Sequence, residues 1–435
     1  MIEYKERVLN NGLTLVVGRD RSSKLAAVNL LYKVGARNEN PHRTGFAHLF
    51  EHLMFRGTEQ FPSFDSVVQS ASGENNAFTN NDYTNFYITL PKVNIECALA
   101  VEADRMRNLS LTPEVLETEK RVVVEEYKQR YLNQPYGDLM MLVRDMCYKV
   151  HPYRWATIGL DVSHIEGATM DEVERFYDRY YRPSNAVLSV SADIDEQQMF
   201  ELCEKYFADI EGVGEFEPDR LPVEPEQCEA RRVEVERDVP ATYIVIAFPI
   251  GARISRDFFI SDLVSDLLAG GDSARLYQRL VKQRGLFAAV NAYVTGDLDP
   301  GLFLFTAQLL PTTDEAEAEA AIWSEIELLK SEAAGEYEMA KVKNKFEANT
   351  LFGELNVMNK AMNMGYYNMT GDMSLINGEV AIYQSIDTDQ VQEFAQRVFT
   401  QGRSNTLIYR STHSNGGAEQ IDEIDIDEID IEDED

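Results

Sequence analysis

The stretch that decides the fold of this chain is Gly45-Phe46-Ala47-His48-Leu49-Phe50-Glu51-His52-Leu53-Met54-Phe55-Arg56-Gly57-Thr58. We interpret it as a helix that carries a metal site. Residues three and four apart share one face of an α-helix, so His48, Glu51 and His52 project together. Two histidines four residues apart can give two nitrogens to one tetrahedral Zn²⁺, and the carboxylate beside them can take a proton from water. The segment therefore predicts a zinc site with its own general base.

The alternative is that these histidines are ordinary core or surface residues. The chain has only six histidines, however, and two of them bracket a glutamate inside an otherwise apolar segment. From this composition the pattern should arise by chance in on the order of one chain per hundred, before any helical context is required. The order His-x-x-Glu-His is also the inverzincin signature, the reverse of the commoner zinc-binding helix. We therefore favour the metal interpretation.

Length and composition describe a globular protein with more than one domain. At 435 residues and 44% hydrophobic content, the chain is too long for one ordinary core and predicts two or three domains. Its four cysteines include no Cys-x-x-Cys pair, which favours neither a disulfide framework nor a thiolate zinc site. We find no apolar leader at the N-terminus and no run long enough to span a bilayer, so we expect a cytoplasmic protein.

The charge of the chain excludes two classes of partner. A formal net charge of −33 argues against nucleic acid and against an anionic membrane. Residues 419–435 hold eleven acidic and no basic side chains, so −22 of the −33 belongs to the rest of the chain. We predict that the end of the chain is a solvated, disordered acidic tail. Any preference for basic peptides must come from the net charge of −22 on residues 1–418.

Two parts of the sequence repeat each other. Gly35-Ala36-Arg37 ends one predicted strand, and Gly251-Ala252-Arg253 ends another 216 residues later. A similar helix follows each strand. In the second helix, the positions of the two histidines and the glutamate are taken by Asp262, Ser265 and Asp266. A long period used twice predicts two like domains, of which only the first binds metal.

We predict an α+β fold of two homologous domains, each a mostly antiparallel sheet packed with helices. Short strands are interrupted by several helices without regular βαβ alternation, which favours this class. The segment from Glu211 to Pro240 is rich in Glu and Pro, as is typical of a semi-extended linker. The predicted parts are a zinc-bearing domain over 1–213, a linker over 214–230, a metal-free domain over 231–416 and the acidic tail over 417–435.

The third zinc ligand is predicted from a second helix. Thr112 and Pro113 mark its start, and we expect it to run to about Tyr131. Glu119 and Glu126 lie inside its apolar stripe, where a carboxylate is costly unless it is paired or bound to a metal. Two histidines leave a zinc site one protein ligand short if water takes the open position. We therefore predict Glu126 as the ligand, and Glu119 as a supporting carboxylate or alternative ligand.

Other interpretations of these residues remain open at this stage. Glu126 could instead form an ion pair with Arg130 or Arg105. Rival metal donors occur elsewhere in the chain without a comparable spacing, and they are Cys97, His42, His151 and His164.

A site of two histidines and a glutamate with an open position favours amide hydrolysis. Such a site lowers the pKa of water and polarises a carbonyl, and Glu51 is placed to take the proton. The polar stretch from Gly73 to Thr79 looks like an exposed sheet edge, which could hold an extended peptide by backbone hydrogen bonds. A plain hairpin with an Asn-rich turn accounts for the same stretch equally well.

Together these motifs resemble the pitrilysin, insulysin and mitochondrial processing peptidase family, over nearly the whole chain except the tail. The matching segments are His48 to Thr58, Asn75 to Thr79, Thr84 to Tyr87, and Glu119 with Glu126. The resemblance implies a zinc metallopeptidase in which two two-domain halves close around a chamber. The roles it implies are zinc ligation by His48, His52 and Glu126, general base catalysis by Glu51, support by Glu119, and substrate pairing along Asn76, Ala77, Phe78 and Thr79.

The sequence departs from the family in one respect. Members that complete their own site carry an Arg and a Tyr seven residues apart in the second domain, where this chain has Val281 and Ala288. We therefore expect the chain to be the metal-bearing subunit of a heterodimer. Its partner would be a homologous subunit without zinc ligands that supplies the Arg/Tyr pair. The alternatives are a non-catalytic scaffold subunit of the same fold and a self-sufficient homodimeric peptidase.

Overall fold

The computed structural model describes residues 1–212 and 216–413 and shows an α+β protein with two sheets, which confirms the predicted fold class. The predicted acidic tail, 417–435, lies outside the described residues. Within the part of the chain that is described, no helix is both long and apolar enough to cross a membrane.

The first half of the chain builds a six-stranded sheet. Its strands are β1 (Lys5–Val8), β2 (Thr14–Arg19), β3 (Leu25–Tyr32), β4 (Glu74–Thr79), β5 (Thr84–Pro91) and β6 (Ala186–Ala192). Their order across the sheet is β1-β2-β6-β3-β5-β4, with β2 and β6 parallel and all other neighbours antiparallel. Strand β3 is therefore central, and β4 is an edge strand.

The second half builds a five-stranded sheet. Its strands are β7 (Arg231–Arg237), β8 (Tyr243–Pro249), β9 (Phe287–Val294), β10 (Leu302–Leu309) and β11 (Asn405–Ser411). Their order is β7-β11-β8-β10-β9, and only β7 and β11 are parallel.

The two sheets share one topology apart from the extra strand β1. Equivalent hydrogen bonds confirm the duplication predicted from the Gly-Ala-Arg repeat. The N–H of Arg37 donates to the carbonyl of Asn81 at 2.9 Å. In the second half, the N–H of Arg253 donates to the carbonyl of Asp297 at 3.0 Å. Both members of the second pair lie 216 positions after those of the first.

Helices surround both sheets. Those of the first half are α1 (Phe46–Met54), α2 (Phe64–Ser70), α3 (Ile95–Asn108), α4 (Pro113–Tyr127), α5 (Leu139–Cys147), α6 (Val162–Glu166), α7 (Met170–Tyr180) and α8 (Glu196–Phe207). Those of the second half are α9 (Arg256–Ala269), α10 (Glu315–Ser331), α11 (Glu336–Gly353), α12 (Val357–Thr370), α13 (Leu375–Gln384) and α14 (Thr388–Val398).

Helix α12 belongs to the second half of the chain but packs on the first sheet. Gly365 permits this close approach, because a Cβ there would lie only 2.9 Å from the side chains of Asn29 and Ser189. Those two side chains are buried and hydrogen-bonded to each other at 3.0 Å. The halves that the repeat separates in sequence are thus joined in space.

The halves also meet through their equivalent turns, the β4–β5 turn and the β9–β10 turn. Asn81 donates to the carboxylate of Asp297 at 2.6 Å, and buried Asp82 accepts the N–H of Leu298 at 2.8 Å. Asp82 also accepts the hydroxyl of Tyr153 at 2.6 Å. The Arg37 guanidinium lies 2.9 Å from the same carboxylate. A single carboxylate therefore holds three donors from three parts of the chain.

We expect Asp82→Ala to destabilise the protein by about 2–5 kcal/mol, because it leaves the Tyr153 hydroxyl and the Leu298 N–H without their acceptor and removes one of the two carboxylates that face Arg37. Urea unfolding followed by circular dichroism at neutral pH measures the loss. Asp145→Ala is the matched control, since its ion pair with Arg154 is exposed and should be worth about 1 kcal/mol or less. Equal losses in the two variants would contradict the account of the turn contact.

Candidate metal centre

The N-terminus of helix α1 is held by one buried carboxylate. Glu39 accepts the N–H groups of Gly45 and Ala47, each at 2.8 Å, and so satisfies donors that have no partner within the helix. Burial raises the pKa of Glu39 to about 8, although these N–H bonds act in the opposite direction. Glu39 was not predicted from the sequence, because it lies six residues before the N-cap and outside the local capping pattern.

Helix α4 lies opposite α1 and begins as predicted, with the Thr112 side chain accepting the N–H of Val115 and Pro113 in the first turn. The expectation that the helix runs to Tyr131 needs correction. The α-helix ends at Tyr127, and the chain continues as a π-helix over Lys128–Leu132. Sequence periodicity over a single turn does not distinguish the two helix types.

The structure brings the three predicted ligands together. His48, His52 and Glu126 each offer one donor atom, and these atoms lie within 4.8 Å of one another. One carboxylate oxygen of Glu126 is 3.7 Å from Nε2 of His48, and the other is 3.3 Å from Nε2 of His52. The two imidazole planes are nearly perpendicular, at 83°. Within the described residues, this is the one cluster of its kind.

The donor set fits a zinc ion. In a tetrahedral site with bonds of about 2.0–2.1 Å, neighbouring donor atoms are about 3.4 Å apart. The two nitrogen–oxygen separations, 3.3 Å from His52 to one oxygen of Glu126 and 3.7 Å from His48 to the other, are close to that value, and all donor atoms lie within 4.8 Å of one another. Two imidazoles and a carboxylate, with a fourth position open, form the donor set of catalytic rather than structural zinc sites.

Glu119 contacts His52 on the side away from the donor cluster. Its side chain is 2% exposed, and Oε2 lies 3.5 Å from Nδ1 of His52. Since Nε2 of the same ring faces Glu126, the two carboxylates hold the imidazole from both sides. A carboxylate on the far nitrogen fixes the tautomer and orientation of a metal-binding histidine. The structure thus places Glu119 where a supporting carboxylate would lie.

The electrostatics of the cluster favour ionised groups. Burial lowers the pKa of His52, but hydrogen bonds to Glu119 and Glu126, with the charges of Glu126 and Glu51, outweigh it and raise that pKa to about 9. Burial raises the pKa of Glu126, but His52, His48 and Arg130 outweigh it and lower that pKa to about 2. Glu126 is therefore a carboxylate over the whole physiological pH range.

Glu51 lies one residue before His52 on α1 and is half-buried. Its charge is one of those that raise the pKa of His52. It comes from the same helix as both histidines, so its position relative to them is fixed by helical geometry.

The alternative partners of Glu126 are also located. Nε of Arg130 lies 3.4 Å from Oε1 of Glu126, so this ion pair coexists with the two histidine contacts. Arg105 is buried elsewhere, 3.1 Å from Glu102, and it donates to the carbonyl of Met54 at 2.7 Å. The rival metal donors do not join the cluster. His151 faces Asp299, for example.

The predicted substrate strand is the edge strand β4, which pairs with β5 in antiparallel register. In this register Asn76 lies opposite Tyr87, and Phe78 lies opposite Asn85. Helix α1 packs against β4, so the edge and the metal cluster are neighbours. The stretch is therefore both a hairpin and a sheet edge, which combines the two interpretations of the sequence. Substrate pairing along Asn76, Ala77, Phe78 and Thr79 stays a prediction.

In the second half, the residues equivalent to His48, Glu51 and His52 make other contacts. Asp262 accepts the hydroxyl of Tyr383 at 2.5 Å, and Asp266 pairs with Lys345 at 2.7 Å. The hydroxyl of Ser265 donates to the carbonyl of Asp262 at 2.7 Å. Helix α9 is therefore the structural counterpart of α1, but its polar side chains contact other groups of the chain instead of converging as metal donors.

Comparison with family models matches most of the chain. A model described as insulinase (peptidase family M16) matches residues 14–152. A model described as peptidase M16 inactive domain matches residues 167–346, which include α9, the counterpart of α1 in the second half.

Known proteins and structures give the same assignment. The chain is 31% identical over 346 residues to the zinc protease PqqE of Helicobacter pylori, and the match covers 78% of each protein. A crystal structure of a protease from Helicobacter pylori has a TM-score of 0.90 at 27% identity, covering 94% of this chain and 100% of that one. Pitrilysin has a TM-score of 0.75 at 17% identity, a likeness of fold in which this chain covers 45% of the longer protein.

We expect zinc affinity to rise with pH. A nitrogen that binds zinc must be deprotonated, so below pH about 9 zinc displaces a proton from His52. The dissociation constant for zinc should therefore fall about tenfold per pH unit between about pH 6.5 and 8.5. Competition with a chromogenic chelator at each pH measures it.

Glu119→Gln is the control for this measurement. This substitution removes a hydrogen bond that raises the pKa of His52, so zinc affinity should stop rising at a lower pH than in the unmodified protein. A flat profile in the unmodified protein would contradict the assignment.

Proposed function

Because the chain belongs to the insulinase family (peptidase family M16), we propose that it is a zinc metallopeptidase that cleaves peptides or unfolded polypeptides. The observation that carries the proposal is the convergence of His48, His52 and Glu126, with Glu51 between the histidines on the same helix. The names of its relatives as zinc proteases support the choice of metal.

Each residue of the centre has a separate task in the proposed mechanism. A zinc ion held by the three ligands would lower the pKa of water to about 7 and polarise the scissile carbonyl. Glu51 accepts the proton of the attacking water and passes it to the departing amine. Glu119 holds the ring of His52 so that Nε2 faces the donor cluster.

The substrate is held by the edge of the first sheet. An extended peptide that adds to β4 forms backbone hydrogen bonds along Asn76 to Thr79, which gives affinity with little demand on side chains. Because α1 packs on this strand, a bound peptide passes beside Glu51. This arrangement supports an endopeptidase.

The second half forms a wall of the chamber without the Arg/Tyr pair. Val281 lies in the π-helix Tyr277–Gln283 and packs against the apolar core of the second half. Ala288 lies on the edge strand β9. Neither side chain has a polar atom that could bind substrate. We therefore propose that a homologous partner subunit supplies an Arg and a Tyr.

Glu51→Gln should lower kcat/KM by roughly 10²–10⁴-fold, because the variant keeps the size of the side chain but cannot accept a proton. Zinc content, measured by atomic emission, should stay at one per chain. Glu125→Gln is the control, since its carboxylate is exposed and pairs with Lys128 at the surface. Retained peptidase activity in the Glu51 variant would remove this residue from its role.

Peptidase activity should rise by at least about tenfold when the chain is combined with a partner that has the same fold, no zinc ligands and an Arg and a Tyr seven residues apart. Such a factor is typical when a positioning contact is supplied. The assay compares the chain alone, the partner alone and the mixture at equal zinc. Equal activity with and without the partner would favour the homodimer, and zinc-free, inactive protein would favour the scaffold.

A further inference from the structure

On the basis of the proposed function, we infer that Arg56 is a positioning residue of the metal centre, which acts through Glu119 on His52. Its guanidinium contacts Oε1 of Glu119, and the other oxygen of that carboxylate faces Nδ1 of His52. Among the described residues, Arg56 forms no ion pair or hydrogen bond with any of the three ligands. The chain of contact is therefore Arg56, Glu119, His52.

The burial of Glu119 makes this contact necessary. A carboxylate that is 2% exposed has lost nearly all of its hydration, and an unpaired buried charge is strongly unfavourable. The imidazole of His52 satisfies one oxygen only. Arg56 is the cation that pairs with the other oxygen, so the carboxylate is held between His52 and Arg56.

The backbone that follows Arg56 is constrained by its own contacts. Gly57 has φ +83°, and a Cβ at that position would lie 2.6 Å from the carbonyl oxygen of Phe61. The N–H of Thr58 donates to the same carbonyl at 3.0 Å, and the buried Thr58 hydroxyl donates to Asp104. The turn after α1 is thus rigid, and it permits little freedom at the Cα of Arg56.

The position of Arg56 also joins the two helices that carry the ligands. It lies four residues after His52, one turn beyond it, and reaches across to α4. Movement of α1 relative to α4 would separate the two histidines from Glu126. Arg56 therefore opposes the motion that would release the metal, and its side chain is 43% exposed at the edge of the site.

Zinc release tests the inference without relying on peptidase activity. Removal of the contacts that orient metal ligands typically costs 10–100-fold in metal affinity. Arg56→Met should therefore release zinc to an excess of chelator at least about tenfold faster than the unmodified chain, and Arg56→Lys should restore part of the loss. Lys128→Met is the control, because Lys128 pairs with the exposed side chain of Glu125, three residues before it. This substitution should leave zinc release unchanged.

A double-mutant cycle distinguishes positioning from simple stability. If Arg56 acts through Glu119, Arg56→Met should change zinc release little in a Glu119→Gln background. Full additivity, or unchanged zinc release in a folded Arg56→Met protein with a lower Tm, would overturn the inference. Absence of zinc binding in the unmodified chain would instead overturn the proposed function.

Discussion

The structure depends on the way two carboxylates of α4, buried Glu119 and half-buried Glu126, face the histidines of α1. Glu119 and Glu126 lie seven residues apart on α4, and each would be unfavourable in an apolar interface on its own. Between them stands His52, which contacts both. The imidazole of His52, together with Arg56 and Arg130, faces these carboxylates where the two helices pack. The same arrangement leaves nitrogen and oxygen donors convergent, so the requirement of folding and the requirement of metal binding are met by one contact.

Within the described residues, the cluster of metal donors occurs in one of the two repeated halves. The sheets share strand order, and their equivalent turns meet through Asp82 and Leu298. In α9, however, Asp262 and Asp266 are held by Tyr383 and Lys345. The second half keeps the architecture of the first while these polar residues contact other protein groups, and its helix α12 reaches back to pack on the first sheet.

The clustering of His48, His52 and Glu126 could be predicted from the sequence, because the donor residues follow helical spacing. His48, Glu51 and His52 fall on one face by geometry alone, and the apolar stripe of the second helix predicted Glu126 as the third donor, with Glu119 as the alternative. Contacts between distant segments could not be predicted in this way. Glu39 caps α1 from outside the local pattern, and α12 crosses to the other sheet through a contact that depends on Gly365. The duplication followed from the repeat, whereas the strand order and the meeting of the equivalent turns required the fold.

The most direct measurement is the anomalous scattering of crystals at the zinc absorption edge, with protein purified without chelator. The account predicts one zinc peak per chain, at about 2.0–2.2 Å from Nε2 of His48, Nε2 of His52 and a carboxylate oxygen of Glu126. It also predicts no peak beside Asp262 and Asp266. A chain without a peak at the three ligands, or with Glu126 turned to Arg130 and the metal bound elsewhere, would contradict the account.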